Sequence, residues 1–173
     1  MSVRPAGPAV TSHGRHPGND RLIVRPLGYV EDGPVVRQIG DRDVYLGNEH
    51  AARPAAHDRS FAFVLSATED ARPLTTHHRP LVDGPEVEWQ TFAEAVETAR
   101  DLYRQDGSLL VHCKAGISRS TTVIATTLAM EEGLEFREAL ATVQDVRPVA
   151  TPHPALHKMG VTYLAAQGRG RQG

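Results

Sequence analysis

The residues best suited to chemistry lie in one stretch, Leu109 to Ser120, which reads L-L-V-H-C-K-A-G-I-S-R-S. It opens on an apolar run of strand length that delivers Cys113, the chain's single cysteine, to the run's carboxyl end. Arg119 follows six residues later, at the start of an apolar helical pattern. Open α/β sheets place ligands just beyond the carboxyl ends of their strands. Helix N-termini add unpaired N–H groups and positive dipole, which suit an anion. A five-residue loop containing Gly116 can turn its backbone N–H groups around one tetrahedral oxyanion.

The same field acts on sulfur. A thiol beside a guanidinium at a helix N-terminus loses its proton far more readily than a free cysteine. Arg119 offers two parallel N–H donors to phosphate oxygens, a geometry lysine cannot supply. Ser120 can donate its hydroxyl hydrogen to the sulfur. Together these residue types fit thiolate attack on phosphorus. The plainer reading makes Cys113 a small core hydrophobe, but it leaves His112, Gly116, Arg119 and Ser120 without a common reason.

The elements around this stretch follow from periodicity. Residues 1–34, rich in Pro and Gly, read as a disordered or extended arm, and 168–173 as a flexible tail; 35–167 form the domain. Val35–Ile39 and Val44–Leu46 predict two short strands around a Gly40–Asp43 turn. Phe61–Leu65 and Leu109–Cys113 are continuous apolar runs, as in strands buried on both faces. A further short strand is expected over His77–Val82. Helices are predicted over Val87–Gln105, with Trp89, Phe92, Ala93, Val96, Ala99 and Tyr103 on the apolar face, and over Arg119–Glu132. Two more follow, around Phe136–Val143 and Leu156–Leu164. Strands alternating with helices imply an α/β fold whose central, mostly parallel sheet of four to five strands is flanked by helices.

His112 to Ser120 resembles the phosphate-binding loop of the dual-specificity branch of the cysteine-dependent protein tyrosine phosphatases. Val44-Tyr45-Leu46-Gly47-Asn48, Phe61 to Leu65, and Arg147-Pro148 with Pro152 are similar to other segments of that family. The resemblance spans about Val35 to Ala166 and implies a phosphatase-like fold with a two-step reaction. Cys113 attacks phosphorus, a carboxylic acid protonates the departing oxygen, and the phosphocysteine is then hydrolysed, with Ser120 aiding departure of sulfur. Lys114, Ala115, Gly116, Ile117, Ser118 and Arg119 would bind the phosphoryl group. No metal or other cofactor is implied. The family's acid lies some thirty residues before the cysteine, which points to Asp83, with Glu86 in reserve. Asp83-Gly84-Pro85 also reads as a turn with a helix-capping Asp. Glu69 and Asp70 look too far back, and Asp101 and Asp106 belong to the predicted helix and its end. His153 stands where many relatives carry Asn.

Composition narrows the classes. Formal net charge is −2 with 40% hydrophobic residues, which argues against nucleic acid or an anionic membrane as partner. No window is apolar enough to span a bilayer, and residues 1–21 lack the apolar core of a signal peptide. The expectation is a soluble, cytoplasmic protein, taken as a monomer. One cysteine excludes an intramolecular disulfide and a Cys-only metal site; the nine histidines show no zinc-ligand pattern. The function expected is hydrolysis of phosphotyrosine and phosphoserine/threonine in proteins. Alternatives are the same chemistry on a phosphorylated lipid, sugar or RNA 5′ end, or phosphate recognition without turnover.

Overall fold

The computed structural model describes residues 31–169. Its sheet has five strands: β1 (Val36–Gln38), β2 (Val44–Gly47), β3 (Phe63–Ser66), β4 (His77–His78) and β5 (Leu109–His112). Their spatial order is β1-β2-β5-β3-β4. Only β1 runs antiparallel to its neighbour; the other pairs are parallel. β5 sits between β2 and β3, with Val111 opposite both Leu46 and Leu65. Every residue of β5 is buried, which is why its sequence is an unbroken apolar run rather than an alternation.

The predicted strand over His77–Val82 is shortened to two residues. Pro80 has no N–H to give the ladder. The backbone nonetheless keeps company with β3 through Arg79 N–H on Ser66 O (2.9 Å) and Leu81 N–H on Ala67 O (3.2 Å). That pairing carries Val82 and Asp83 past the carboxyl edge of the sheet. β3 itself begins at Phe63, two residues into the predicted run.

Four α-helices follow among the described residues, α1 (Trp89–Tyr103), α2 (Arg119–Glu132), α3 (Phe136–Val146) and α4 (Pro154–Arg169), with α1 and α2 packed on the sheet and α3 and α4 packed on α2. α1 starts at Trp89 because Val87 N–H closes a turn on Gly84 O instead. Its buried stripe is Phe92, Ala95, Val96, Ala99 and Leu102. Trp89, expected on that face, is 41% exposed. α2 is the central helix, buried from Ser120 through Ala129 and packed on α1, α3 and α4. It ends at Gly133, whose φ of 68° is left-handed, a conformation glycine adopts without a Cβ penalty. α4 opens with Pro154 as its first residue, and Ala155 N–H bonds to His153 Nδ1 at 3.0 Å. Proline loses nothing there, because that N–H has no helical partner anyway.

Most of the arm predicted over 1–34 and of the tail over 168–173 lies outside the described residues. Of what is described, Asn48 Nδ2–H bonds to Gly33 O at 2.8 Å, Glu31 pairs with Arg147, and α4 continues to Arg169.

Candidate active site

β5 ends one residue before Cys113, and α2 begins at Arg119. The loop between them is held open by its carbonyls. Lys114 O accepts from Glu49 N–H (3.0 Å), and Ile117 O from Thr151 N–H (2.9 Å). Ala115 O and Gly116 O each accept from the Arg147 guanidinium at 3.1 Å. Ser118 O accepts from Thr122 N–H and from Thr122 Oγ1–H. In a planar trans peptide each carbonyl opposes the next residue's N–H. With five consecutive carbonyls tied outward, the amides of residues 115–119 face the hollow of the loop. Gly116 permits this twice over. Its φ is +66°, and a Cβ would stand 3.0 Å from Gly47 O.

Cys113 is 2% exposed, and its Sγ lies 3.1 Å from Ser120 Oγ. Burial by itself pushes the thiol up. The Arg119 guanidinium, the Ser120 hydroxyl and the N–H groups of Ser120 and Ile117 outweigh it, so the pKa falls below the ordinary value. The sulfur is therefore buried yet held towards thiolate. Arg119 is half-buried, and its Nη1–H groups reach Ala67 O and Leu81 O, both at 3.3 Å. Those carbonyls lie just past β3 and β4, so the sheet's carboxyl edge aims the guanidinium.

Asp83 stands at the loop as well: Ser118 Oγ–H donates to Asp83 Oδ1 at 2.6 Å. Glu86 is exposed and bonds to no loop residue among those described. Lys114 is exposed and lines a cavity of about 250 Å³ with Glu49, Thr68, Glu69, Asp70, Arg72 and Arg119. Glu69 and Asp70, remote in sequence, thus flank the loop. His153 acts through its backbone, its N–H bonding to Ser118 Oγ at 2.8 Å. Among the described residues no three His, Cys, Asp or Glu side chains converge as a metal ion would need.

Two supporting features are not legible in the sequence: Arg147 as a clamp on the loop, and the hydroxyl partners of His112, itself expected as a buried hydrogen-bond partner holding the loop. Arg147 is 4% exposed; besides its two loop carbonyls it pairs with Glu31 at 2.9 Å. The available signal was position: Arg147 directly follows α3, four residues after buried Val143, where the chain turns back against the domain and a charge needs partners. The second is a hydroxyl chain beneath the cysteine. Arg72 N–H bonds to Thr75 Oγ1 (2.8 Å), Thr75 Oγ1 lies 2.7 Å from Ser66 Oγ, and Ser66 Oγ meets His112 Nε2. Donation from Thr75 to Ser66 to Nε2 satisfies every atom and leaves Nδ1–H for Cys113 O, 3.4 Å away. Burial, with Arg72 and Arg119 nearby, lowers the His112 pKa to about 4. The ring is neutral at neutral pH and serves as a strut.

A strand, an anion-cradling cysteine loop and a buried helix on a mostly parallel sheet define the cysteine-loop phosphatase architecture. Comparison with known proteins narrows this. Residues 44–163 match the family described as dual specificity phosphatase, catalytic domain. Human dual specificity protein phosphatase 15 is 33% identical over 122 residues, covering 66% of this chain and 41% of that protein. The crystal structure of DUSP15 superposes with a TM-score of 0.64 at 28% identity, covering 77% of this chain and 88% of the other. That of human DUSP28 has a TM-score of 0.68 at 22% identity, covering 79% and 99%, a likeness of fold. The chain belongs to the dual specificity phosphatase catalytic-domain family. It spans about half the length of the curated relatives it matches, 41% of the human and 52% of the mouse phosphatase 15.

Proposed function

We propose that this chain hydrolyses phosphoric monoesters of tyrosine, serine and threonine in proteins through a phosphocysteine. The observation that carries the reading is the phosphate loop itself: five carbonyls tied outward around a buried sulfur whose proton is loosened by Arg119. Inward amides and Arg119 bind the three non-bridging oxygens and stabilise their charge as the phosphoryl group transfers. The Cys113 thiolate forms the S–P bond while the P–O bond to the substrate breaks, and Asp83 gives its proton to the departing oxygen. The Asp83 carboxylate then takes a proton from water as that oxygen attacks phosphorus. The S–P bond breaks, Ser120 Oγ–H steadies the leaving thiolate, and inorganic phosphate is released.

Lys114 through Arg119 form the binding loop in this reading, and no metal enters either step. Phosphorylated protein is the proposed substrate and the cytoplasm the proposed location. No helix among the described residues is long and apolar enough to cross a membrane.

The test is p-nitrophenyl phosphate hydrolysis by wild type, Cys113→Ser and Asp83→Asn, each with EDTA and with vanadate. Activity should survive EDTA, fall with vanadate and vanish in Cys113→Ser. EDTA-sensitive turnover, or turnover by Cys113→Ser, would overturn the mechanism. Phosphopeptides carrying each of the three residues then test the substrate class.

A further inference from the structure

We propose that Ser118 is a positioning residue for the acid: its hydroxyl fixes the Asp83 carboxyl over the phosphate loop and thereby governs how well poor leaving groups depart. This rests on the reading of Asp83 as the acid. Ser118 is 3% exposed, and both of its hydroxyl bonds are short. Its oxygen accepts from His153 N–H at 2.8 Å and its hydrogen goes to Asp83 Oδ1 at 2.6 Å. The direction is forced, because a backbone N–H only donates, so the single hydroxyl hydrogen is left for the carboxylate.

The frame behind that hydroxyl is rigid. Ser118 O is held by both the N–H and the hydroxyl of Thr122. His153 directly precedes Pro154, the first residue of α4, and its ring receives Ala155 N–H. The segment carrying Asp83 is different in kind: Val82 is 50% exposed, and Pro85 and Glu86 are exposed. A short bond from a rigid frame narrows the positions that a carboxyl on such a segment takes over the loop. Ser118 belongs to the same loop that binds the phosphoryl group, so its bond references the acid to the phosphorus rather than to the protein surface.

The consequence depends on the leaving group. p-Nitrophenolate departs with little help from a proton, phenolate with a conjugate-acid pKa of about 10 needs more, and the alkoxides of serine and threonine need most. A misplaced acid therefore costs least on activated aryl phosphates and most on alkyl phosphates, since correct placement precedes proton transfer. The constant to measure is kcat/KM, which reports events up to formation of the phosphocysteine and excludes its later hydrolysis.

The experiment measures kcat/KM across aryl phosphates of graded leaving-group pKa and a phosphoserine peptide, for wild type, Ser118→Ala, Ser118→Thr and Asp83→Asn. Ser118→Ala should lose about threefold on p-nitrophenyl phosphate and about thirtyfold on the phosphoserine peptide, steepening the dependence on leaving-group pKa. Ser118→Thr, which keeps the hydroxyl, should restore the wild-type slope. A loose or partly unfolded loop lowers all substrates together and leaves the slope unchanged. If Ser118→Ala does not fold, Ser118→Gly takes its place with the same expected slope. A steep slope for Asp83→Asn with a wild-type slope for the hydroxyl-less variant would overturn the role of Ser118. A wild-type slope for Asp83→Asn would instead remove Asp83 as the acid.

Discussion

The two halves of the site are built by opposite means. The phosphate loop is over-determined: its carbonyls are bound by Glu49, by Thr122, and by Arg147 and Thr151, which lie on three separate parts of the chain. Its sulfur is buried, and its first helical turn sits in the core. The segment that carries the proposed acid Asp83, residues 82–86, projects past the sheet edge with most of its side chains exposed. It meets the loop through the bond from Ser118 to Asp83, and the buried Leu81 just before it accepts from Arg119. Binding charge in a fixed geometry rewards rigidity, because preorganised dipoles need no rearrangement as charge develops. Proton delivery to leaving groups of different size does not. The contrast implies that damage to the loop removes chemistry outright, whereas damage to the acid segment grades it.

The strongest test of that contrast is Arg119→Lys. The charge survives, but the paired donors to phosphate do not, nor does the fork held by Ala67 O and Leu81 O. We expect kcat/KM to fall by about 10³ with every substrate alike, against a substrate-dependent loss of about 10² for Asp83→Asn. Steady-state kinetics on aryl phosphates and phosphopeptides checks both. Equal, substrate-independent losses in the two variants would erase the distinction between the halves.

The loop's underside gives the next largest effect, and it is one of stability. His112 has a folded pKa of about 4 against an ordinary 6.5, burial being the main cause. Between those values the unfolded chain binds a proton that the folded chain refuses. Stability from the neutral ring is thus fully present above about pH 6.5 and is lost as pH falls towards 4, in total about 3 kcal/mol. Urea unfolding at pH 7 and at pH 4.5 should show the drop, and His112→Gln should flatten it. A wild-type midpoint independent of pH across that window would contradict the neutral strut.

Arg147→Met removes the donors to Ala115 O and Gly116 O and leaves both carbonyls unbonded. We expect kcat/KM to fall about thirtyfold and vanadate affinity to fall in step, because the inward amides lose their backing. Arg147→Lys should recover only part, since an ammonium cannot reproduce the forked pair of bonds. A variant with weak vanadate binding but undiminished kcat would separate the clamp from the chemistry.

The sequence carried the loop more openly than the acid or the clamp. Leu109–Cys113 and the helix over Arg119–Glu132 were legible because a strand buried on both faces and a helix buried all round leave unbroken apolar signatures. Cys113, Gly116, Arg119 and Ser120 share one local segment, so their juxtaposition is a matter of spacing alone. Asp83 comes from another part of the chain, and its placement was expected only by resemblance. The pairing that brings it to the loop runs through Arg79 and Leu81 on either side of Pro80, which periodicity cannot express. Arg147 and Glu31 were illegible for a related reason. Their partners lie 31 and more residues away, and Arg147 follows its helix where a terminator and a buried ligand look alike. Trp89 differs in degree: at the first turn of α1 its ring meets Phe92 and Tyr163, yet the residue stays 41% exposed at the end of the apolar stripe.

Glu31→Gln gives the smallest effect and probes how far the clamp depends on charge. The Glu31–Arg147 pair joins a side chain 5% exposed to one 28% exposed, at 2.9 Å. A pair whose guanidinium is this buried contributes more than an exposed pair, which is worth about 1 kcal/mol or less, so the thermal midpoint should fall measurably. The effect on the loop should be larger than that figure suggests, because Arg147 carries two of the five carbonyls of the phosphate loop. Glutamine keeps an acceptor for Nη1–H but not the charge. We expect vanadate affinity to weaken about twofold to fourfold, with a shallower dependence on salt than in wild type. If Glu31→Gln weakens vanadate as much as Arg147→Met does, the clamp is electrostatic in origin. If vanadate binding is untouched, the forked bonds to Ala115 O and Gly116 O hold the loop without help from the carboxylate.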